Sequence, residues 1–332
     1  MGSRIARIEK YLPDKILTNE KLAAEFGRWK PEKIEAKLGI RERHIAGENE
    51  TAADMAFLAA QQILEHYDRD KIDMLLLCTQ SPDYFLPTTA CVLQDRLNLR
   101  REMGAFDFNL GCSGFVYGLA MAKSFINSRI AESILLLTSE TYSKYINHND
   151  LANRTVFGDG AAATIVEISP KEQILQFVLG TDGRGKTNLI VPNGCARNAY
   201  KPDAVEISND AGDVYSDNNL FMNGPEIFNF TIDVIPTAVE QCLVKNNMKL
   251  EEIDYFIFHQ ANKYMIDYLR KFLGIPKEKF YSEILHTGNT VSSTIPIGYA
   301  DAMEKGIIKK GHKVMLCGFG VGYSWGTVIV EV

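Results

Sequence analysis

Asn109-Leu110-Gly111-Cys112-Ser113-Gly114-Phe115-Val116 separates two patterns of different period. Before it, residues 102–108 alternate like a short strand. After it, the small and apolar run from Tyr117 to Ile126 meets its first charge only at Lys123, as a buried helix does. Cys112 therefore falls at a strand-to-helix turn. Unsatisfied backbone N–H groups at a helix start favour negative charge, and a thiolate there can have a pKa well below the free value of about 8.5. This pattern predicts a mounted, reactive thiol. The competing description is a cysteine packed as a small hydrophobe, as free thiols usually are. Gly111 and Gly114, flanking Cys112 and Ser113, favour the reactive one.

Outward from this turn the chain alternates strands and helices. Upstream, residues 4–11 read as a strand, and Thr18-Asn19-Glu20 caps a helix through Phe26. A helix over 51–67, a buried strand over 72–78 and a helix over 88–97 follow. Downstream, residues 133–138 and 161–168 read as strands. Two internal echoes then recur in the same order. Ile72-Asp73 with its apolar run to Gln80 resembles Ile253-Asp254 with its run to Gln260, and Phe157-Gly158-Asp159-Gly160 with residues 164–167 resembles Phe319-Gly320-Val321-Gly322 with residues 327–331. A duplicated α/β unit is implied, with two packed sheets covered by helices and halves at 1–168 and 169–332. Residues 193–219, rich in Asn, Asp and Gly, form a long excursion: a lid or a surface loop.

Composition bounds the function. A chain of 332 residues with 46% hydrophobic and 23% charged residues is an ordinary globular protein with capacity for a large core. A net charge of −6 argues against non-specific nucleic-acid binding, so an acidic partner must meet a local basic patch. Cysteines 78, 91, 112, 195, 242 and 317 lack CxxC spacing, which fits reduced thiols in a cytoplasm rather than a disulfide framework or a metal site. No window approaches 18 uninterrupted apolar residues, and no membrane association is expected.

The second half offers two partners for the thiol. His259 closes the apolar strand 255–258 and precedes Gln260-Ala261-Asn262, where a helix begins; Asn289 lies in the polar turn Thr287-Gly288-Asn289-Thr290 before a helix through Ala302. Alone, each is ordinary strand-end or turn chemistry. Beside a cysteine nucleophile they change meaning, because both side chains can donate N–H groups to a developing oxyanion.

The Cys112, Phe157-Gly158-Asp159-Gly160-Ala161, His259-Gln260-Ala261-Asn262 and Gly288-Asn289-Thr290 motifs together resemble the beta-ketoacyl-acyl carrier protein synthase III group of the thiolase superfamily. Leu12-Pro13-Asp14 with Thr18-Asn19, and Gly39-Ile40-Arg41-Glu42-Arg43, add to the match, which runs from about residue 4 to the C-terminus in the family's order and spacing. The resemblance implies an α/β thiolase fold, a layered α-β-α-β-α sandwich, with the first half carrying Cys112, the second carrying His259 and Asn289, and a homodimeric assembly. It implies no cofactor and no metal. By motif, Cys112 takes an acyl group from acyl-CoA or acyl-acyl carrier protein. His259 and Asn289 then hold the thioester carbonyl of malonyl-acyl carrier protein while it loses carbon dioxide, and the enolate attacks the acyl-enzyme in a Claisen condensation. A second oxyanion hole is expected from the backbone N–H groups of Cys112 and Val321.

Three departures from the family pattern bear on substrate. Gly320-Val321-Gly322 stands where the enzymes of primary fatty acid synthesis usually have three glycines; Lys33 stands where they place a tryptophan that clamps coenzyme A; Lys263-Tyr264 stands where they place an arginine. Lys263, Arg270 and Lys271 are the candidate cations for docking an acidic carrier protein. Leu86, before Pro87, matches a position that in relatives reaches across the dimer and limits acyl length. The alternatives are acyl transfer to an alcohol or amine without decarboxylation, and a thioesterase; an intact Cys112, His259 and Asn289 set argues against a non-catalytic subunit. His286 is given no catalytic role, His44, His66, His148 and His312 are placed at the surface, and Gly158-Asp159-Gly160 is read as a structural turn.

Overall fold

The computed structural model describes residues 2–332. Five strands form the first sheet: β1 (Gly2–Tyr11), β2 (Met74–Cys78), β3 (Gly104–Phe108), β4 (Ser133–Glu140) and β5 (Gly160–Ser169), in the spatial order β1-β5-β4-β2-β3. Four form the second: β6 (Val178–Thr181), β7 (Tyr255–Phe258), β8 (Lys313–Gly320) and β9 (Ser324–Glu331), in the order β7-β8-β9-β6. The two orders are equivalent. In each sheet a strand lies parallel to the central one, β2 on β4 and β7 on β8, and the next two neighbours, β5 then β1 and β9 then β6, run antiparallel. The position of β3 is marked in the second sheet by a parallel bridge from Phe256 to Phe280. Both sequence echoes fall on strands that match in this scheme, β2 with β7 and β5 with β9.

Burial explains the layering. Strands β2 and β4 are buried along their whole length and carry the apolar runs Met74–Cys78 and Ile134–Leu137 because both faces of the sheet are covered. Their two faces feed different cores. Leu76, Ile134 and Leu136 pack between the sheets with Ile257, Val314, Leu316 and Val328, together with Phe115, Leu119 and Ala122 of the helix Gly114–Asn127 and Ile295 and Tyr299 of the helix Thr294–Glu304. Leu75, Leu77 and Leu135 face outward onto Ala53, Ala56 and Ala60 of the helix Ala52–Leu64, which a Thr51–Asp54 capping box starts. On the far side of the second sheet, Met315, Cys317 and Ile329 meet Ile235 and Val239 of the helix Gly224–Lys245 and Ile266 and Leu269 of the helix Lys263–Phe272. Two helices thus lie between two sheets, with helices outside each.

The central helix approaches the sheet closely at Gly118, where a Cβ would lie 2.6 Å from Leu136. Helix Gly224–Lys245 is long and apolar enough to cross a membrane by length and composition, but its Ile227, Phe230, Ile235 and Val239 face is spent on the second sheet. The excursion over 193–219 carries a two-residue ladder, Ile207–Ser208 with Val214–Tyr215, and is pinned to the body by the Arg28–Asp213 ion pair at 2.5 Å and by Val214 N–H on the Asn149 carbonyl. Its flanking residues Leu189 and Leu220 belong to the same buried cluster as Cys112.

Candidate active site

Cys112 sits in the turn that leads from β3 into the helix Gly114–Asn127, and a face of β8 comes against it. A Cβ at Gly318 would lie 2.8 Å from the Cys112 carbonyl oxygen and the Ser113 Cα, and one at Gly320 would lie 2.8 Å from the Cys112 sulfur. Only glycine allows this approach. The contact is held by Ser113 Oγ against Ser324 Oγ at 2.6 Å, and Ser324 donates in turn to the Val321 carbonyl at 2.8 Å. On the other side of the turn, Gln80 Nε2 donates to Asn109 Oδ1 at 2.8 Å, and the Cys78 thiol donates to the Leu110 carbonyl.

His259 ends β7, its N–H on the Cys317 carbonyl of β8 at 2.8 Å and its ring edge-on to Phe319 with centroids 5.6 Å apart. Asn289 is fixed through its backbone to the FGDG turn: its N–H donates to the Val156 carbonyl at 2.9 Å, and its carbonyl accepts from Gly158 N–H at 3.0 Å. Its side-chain oxygen accepts the Val291 N–H at 2.9 Å, so the NH2 is the end left to meet a ligand. Val291 joins the three residues. Its side chain abuts Gly111 of the nucleophile turn, its N–H holds Asn289, and its carbonyl accepts from Thr294 Oγ1, whose other contact is His259 Nδ1 at 2.8 Å. It does so at φ 55°, a left-handed conformation that is strained for a β-branched residue and costs about 1–3 kcal/mol. Cys112, His259 and Asn289 are 5%, 2% and 5% exposed, and Val291 links the Cys112 turn to Asn289 and, through Thr294, to His259.

Electrostatics corrects one expectation. The helix start predicts a thiol with lowered pKa; burial instead pushes Cys112 up to about 12, against the pull of the backbone N–H groups of Val321 and of Cys112 itself. The resting Cys112 is a neutral thiol. Burial pushes His259 the other way, down to about 3 against the pull of the Val291 backbone, so the imidazole is neutral. The same two N–H groups that face the sulfur are those expected to form the second oxyanion hole.

The peripheral candidates are placed less centrally. Leu86 is on the surface, 83% exposed beside Tyr84 and Phe85, and not in the cavity of its own chain. Lys263 pairs with Asp267 at 3.3 Å. Arg270 turns inward, donating to the Ile275 carbonyl at 2.9 Å next to Asp267, which corrects its placement among the docking cations: its charge is committed to closing its own helix. Lys271 is exposed, as is Lys33; Trp29 carries the Lys37 ammonium 5.5 Å over its ring. His286 pairs with Glu42 at 2.9 Å, and His44, expected at the surface, is half-buried with Nδ1 on the Pro13 carbonyl. Asp159 of the FGDG turn accepts from Ala46 N–H at 2.8 Å and Ser143 N–H at 3.0 Å, a structural role.

Known proteins resemble the chain over its whole length. The family model for 3-oxoacyl-[acyl-carrier-protein] synthase III matches residues 106–183, and the model for its C-terminal part matches residues 243–332. The beta-ketoacyl-[acyl-carrier-protein] synthase III of Clostridium perfringens is 36% identical over 97% of both chains. The chain belongs to the synthase III family. A crystal structure of a 3-oxoacyl-(acyl-carrier-protein) synthase III superposes with a TM-score of 0.98 at 46% identity over the whole of both chains, and that of the Burkholderia xenovorans 3-oxoacyl-(acyl-carrier protein) synthase with 0.92 at 33% identity, over 100% of this chain and 94% of that one. The layered architecture is the thiolase fold, and this synthase III is an acyltransferase.

Residues that motif reading missed surround the triad of this synthase III. Besides Val291 and Thr294, Glu140 at the end of β4 is fully buried, accepting from Gln80 N–H at 3.0 Å, Ser81 Oγ at 3.1 Å and Ser292 Oγ at 3.0 Å. It ties a loop of the first half, next to the nucleophile turn, to the Asn289 turn of the second; burial pushes its carboxyl up to about 8. The signal that could have found it is a carboxylate closing a strand with no other charge, Ile134-Leu135-Leu136-Leu137-Thr138-Ser139-Glu140.

Proposed function

We propose that this synthase III condenses an acyl thioester with malonyl-acyl carrier protein, through an acyl-Cys112 intermediate, to give a 3-oxoacyl-carrier product in fatty acid or related lipid biosynthesis. The observation that carries this reading is the convergence of Cys112, neutral His259 and Asn289 in one buried site. The Cys112 sulfur attacks the donor carbonyl, with the N–H groups of Cys112 and Val321 toward the oxygen, and the thiol proton leaves with the departing donor thiol. In the second half-reaction, loss of carbon dioxide puts negative charge on the malonyl thioester oxygen. Two neutral donors, His259 Nε2 and Asn289 Nδ2, stabilise that charge, and losing one such donor costs about 10²–10³ in rate. The donor is an acyl-CoA or acyl-carrier thioester. The enzyme acts in the cytoplasm as a homodimer: strand β3 leaves an open, half-exposed sheet edge beside the exposed Tyr84, Phe85 and Leu86, a surface suited to a second copy.

The test is intact-protein mass spectrometry after exposure to a panel of acyl-CoA and acyl-carrier thioesters, then malonyl-acyl carrier protein. A mass gain on Cys112 that clears with release of carbon dioxide and a two-carbon-longer product is expected, and Cys112→Ser is expected to give neither. Acylation that persists with the malonyl carrier but clears with an alcohol or amine would move the assignment to simple acyl transfer.

A further inference from the structure

The nucleophile turn is gripped from two sides. Cys112 and Ser113 lie against Gly318 and Gly320 of β8, in the second half of the fold. Asn109, Leu110 and Gly111 lie against the residues that end β2 and follow it, in the first half. The Cys78 thiol donates to the Leu110 carbonyl, Gln80 Nε2 donates to Asn109 Oδ1 at 2.8 Å, and a Cβ at Gly111 would lie 2.7 Å from Gln80 Oε1. The same Cβ would lie 2.6 Å from the side chain of Val321, whose N–H faces the Cys112 sulfur.

Gln80 is itself held at four atoms. Its N–H donates to Glu140 at 3.0 Å, its carbonyl accepts from the Tyr145 hydroxyl at 2.9 Å, its Oε1 accepts from the Tyr142 hydroxyl, and its Nε2 spends a hydrogen on Asn109. Glu140 and Tyr142 are buried, and the Tyr142 ring packs on Phe157 with centroids 5.3 Å apart. A free glutamine side chain samples many rotamers, and ordering it costs up to about 2 kcal/mol. Anchors at both ends of the amide leave it one conformation. An amide also carries an acceptor and a donor side by side, so it takes the phenol with one atom and holds the turn with the other.

We propose that Gln80 is the positioning residue of the nucleophile turn: anchored by Tyr142, it holds Asn109 and Gly111 so that Cys112 stays seated on β8 with its sulfur at the Val321 N–H. The proposal rests on the acylation of Cys112 given above and asks no proton transfer of the amide. Its effect is geometric. A sulfur held in register delivers the attacked carbonyl oxygen to the N–H donors as charge develops on it; a turn free to rock keeps the thiol but loses that alignment.

The test compares Gln80→Met with wild type. Methionine keeps the length of the side chain and loses both amide groups. Single-turnover acylation of Cys112, read by intact mass over a range of donor concentrations, is expected to fall by about 10- to 100-fold in maximal rate, since a misplacement of about 1 Å costs about 10²-fold. The half-saturating donor concentration is expected to stay within about threefold, because donor binding does not depend on the seat of the sulfur. Alkylation of the same thiol by iodoacetamide uses no oxyanion donor and is likewise expected within about threefold. Tyr142→Phe removes the anchor alone, and the double variant is expected to be no slower than Gln80→Met, because the two side chains act as one unit.

Equal losses in acylation and alkylation, losses that multiply in the double variant, or wild-type acylation in folded Gln80→Met would each overturn the proposal while leaving the condensing reading, tested on the wild-type enzyme, intact. A wild-type enzyme that no donor acylates would overturn both. If Gln80→Met does not fold, Asn109→Ala, which removes only the acceptor on the turn, is expected to show the same split between acylation and alkylation, and equal effects there would also overturn the proposal.

Discussion

A single methyl group placed at Gly318 tests whether the seat of Cys112 on β8 governs acylation. The added Cβ would lie 2.8 Å from both the Cys112 carbonyl oxygen and the Ser113 Cα, where ordinary contact begins at 3.4 Å. One side must therefore give by about 0.6 Å. Both obstructing atoms are backbone, and neither can escape by a rotamer change. The strand is held on both sides, Gly318 pairing with Gly326 of β9 in a ladder that continues to Ser324, so the nucleophile turn is the part that moves. Gly318 does not adopt a left-handed conformation, and the effect of Gly318→Ala is thus steric rather than conformational. Overpacking of this kind costs about 1–3 kcal/mol of stability. Since a misplacement of about 1 Å at a reacting atom costs about 10²-fold in rate, a shift of this size is expected to slow acylation by about 10- to 50-fold. The assay is single-turnover acylation of Cys112 from an acyl thioester, read by intact mass, alongside thermal unfolding. Gly183→Ala is the control: nothing lies within 4 Å of its added Cβ, and both readouts should stay at wild type. A folded Gly318→Ala protein that acylates within about twofold of wild type would refute the reasoning, since this turn would then tolerate a displacement the mechanism forbids.

Two further outcomes are expected. Asn289→Ala should abolish malonyl decarboxylation but leave Cys112 acylation largely intact, because the Asn289 amide serves the second oxyanion only; loss of both together in the mass assay would count against the division of roles. His259, pushed by burial down to about 3, should stay neutral through the working range, so decarboxylation should show no inflection near pH 6.5, and one in that region would place a protonated imidazole in the site. The same shift has a stability consequence. The unfolded chain binds a proton at His259 near the ordinary value of about 6.5 and the folded one does not until about 3, so this group's contribution is complete above the upper value and declines as pH falls through that window.

Much of the site was legible because its parts are local. Cys112 is announced by a change of period from strand to helix with glycines at the join, and His259 and Asn289 stand where an apolar strand ends and a polar Gly-Asn turn begins. The strand echoes point to a repeated unit because equivalent strands occupy equivalent, doubly buried positions in their sheets, and burial of both faces leaves the same apolar run in each. Arg270 shows the limit of this logic: its spacing along the helix matches a docking face, but whether a long side chain reaches outward or folds back onto the Ile275 carbonyl depends on where the chain turns after the helix.

What sequence alone determined, then, is the order of elements, the α/β class, and the residue types able to do thioester chemistry; each follows from short-range periodicity, caps and turns. Tertiary structure decided the rest. It set the ionisation of the site, since burial overrides the helix start at Cys112 and keeps His259 neutral, and desolvation is a property of everything packed around a group rather than of its neighbours in the chain. It also chose the partners of the candidate site's side chains. Val291, Thr294 and Glu140 acquire their roles only when segments distant in the chain meet between the two sheets, because a hydrogen-bond partner is fixed by that meeting and not by the residues on either side.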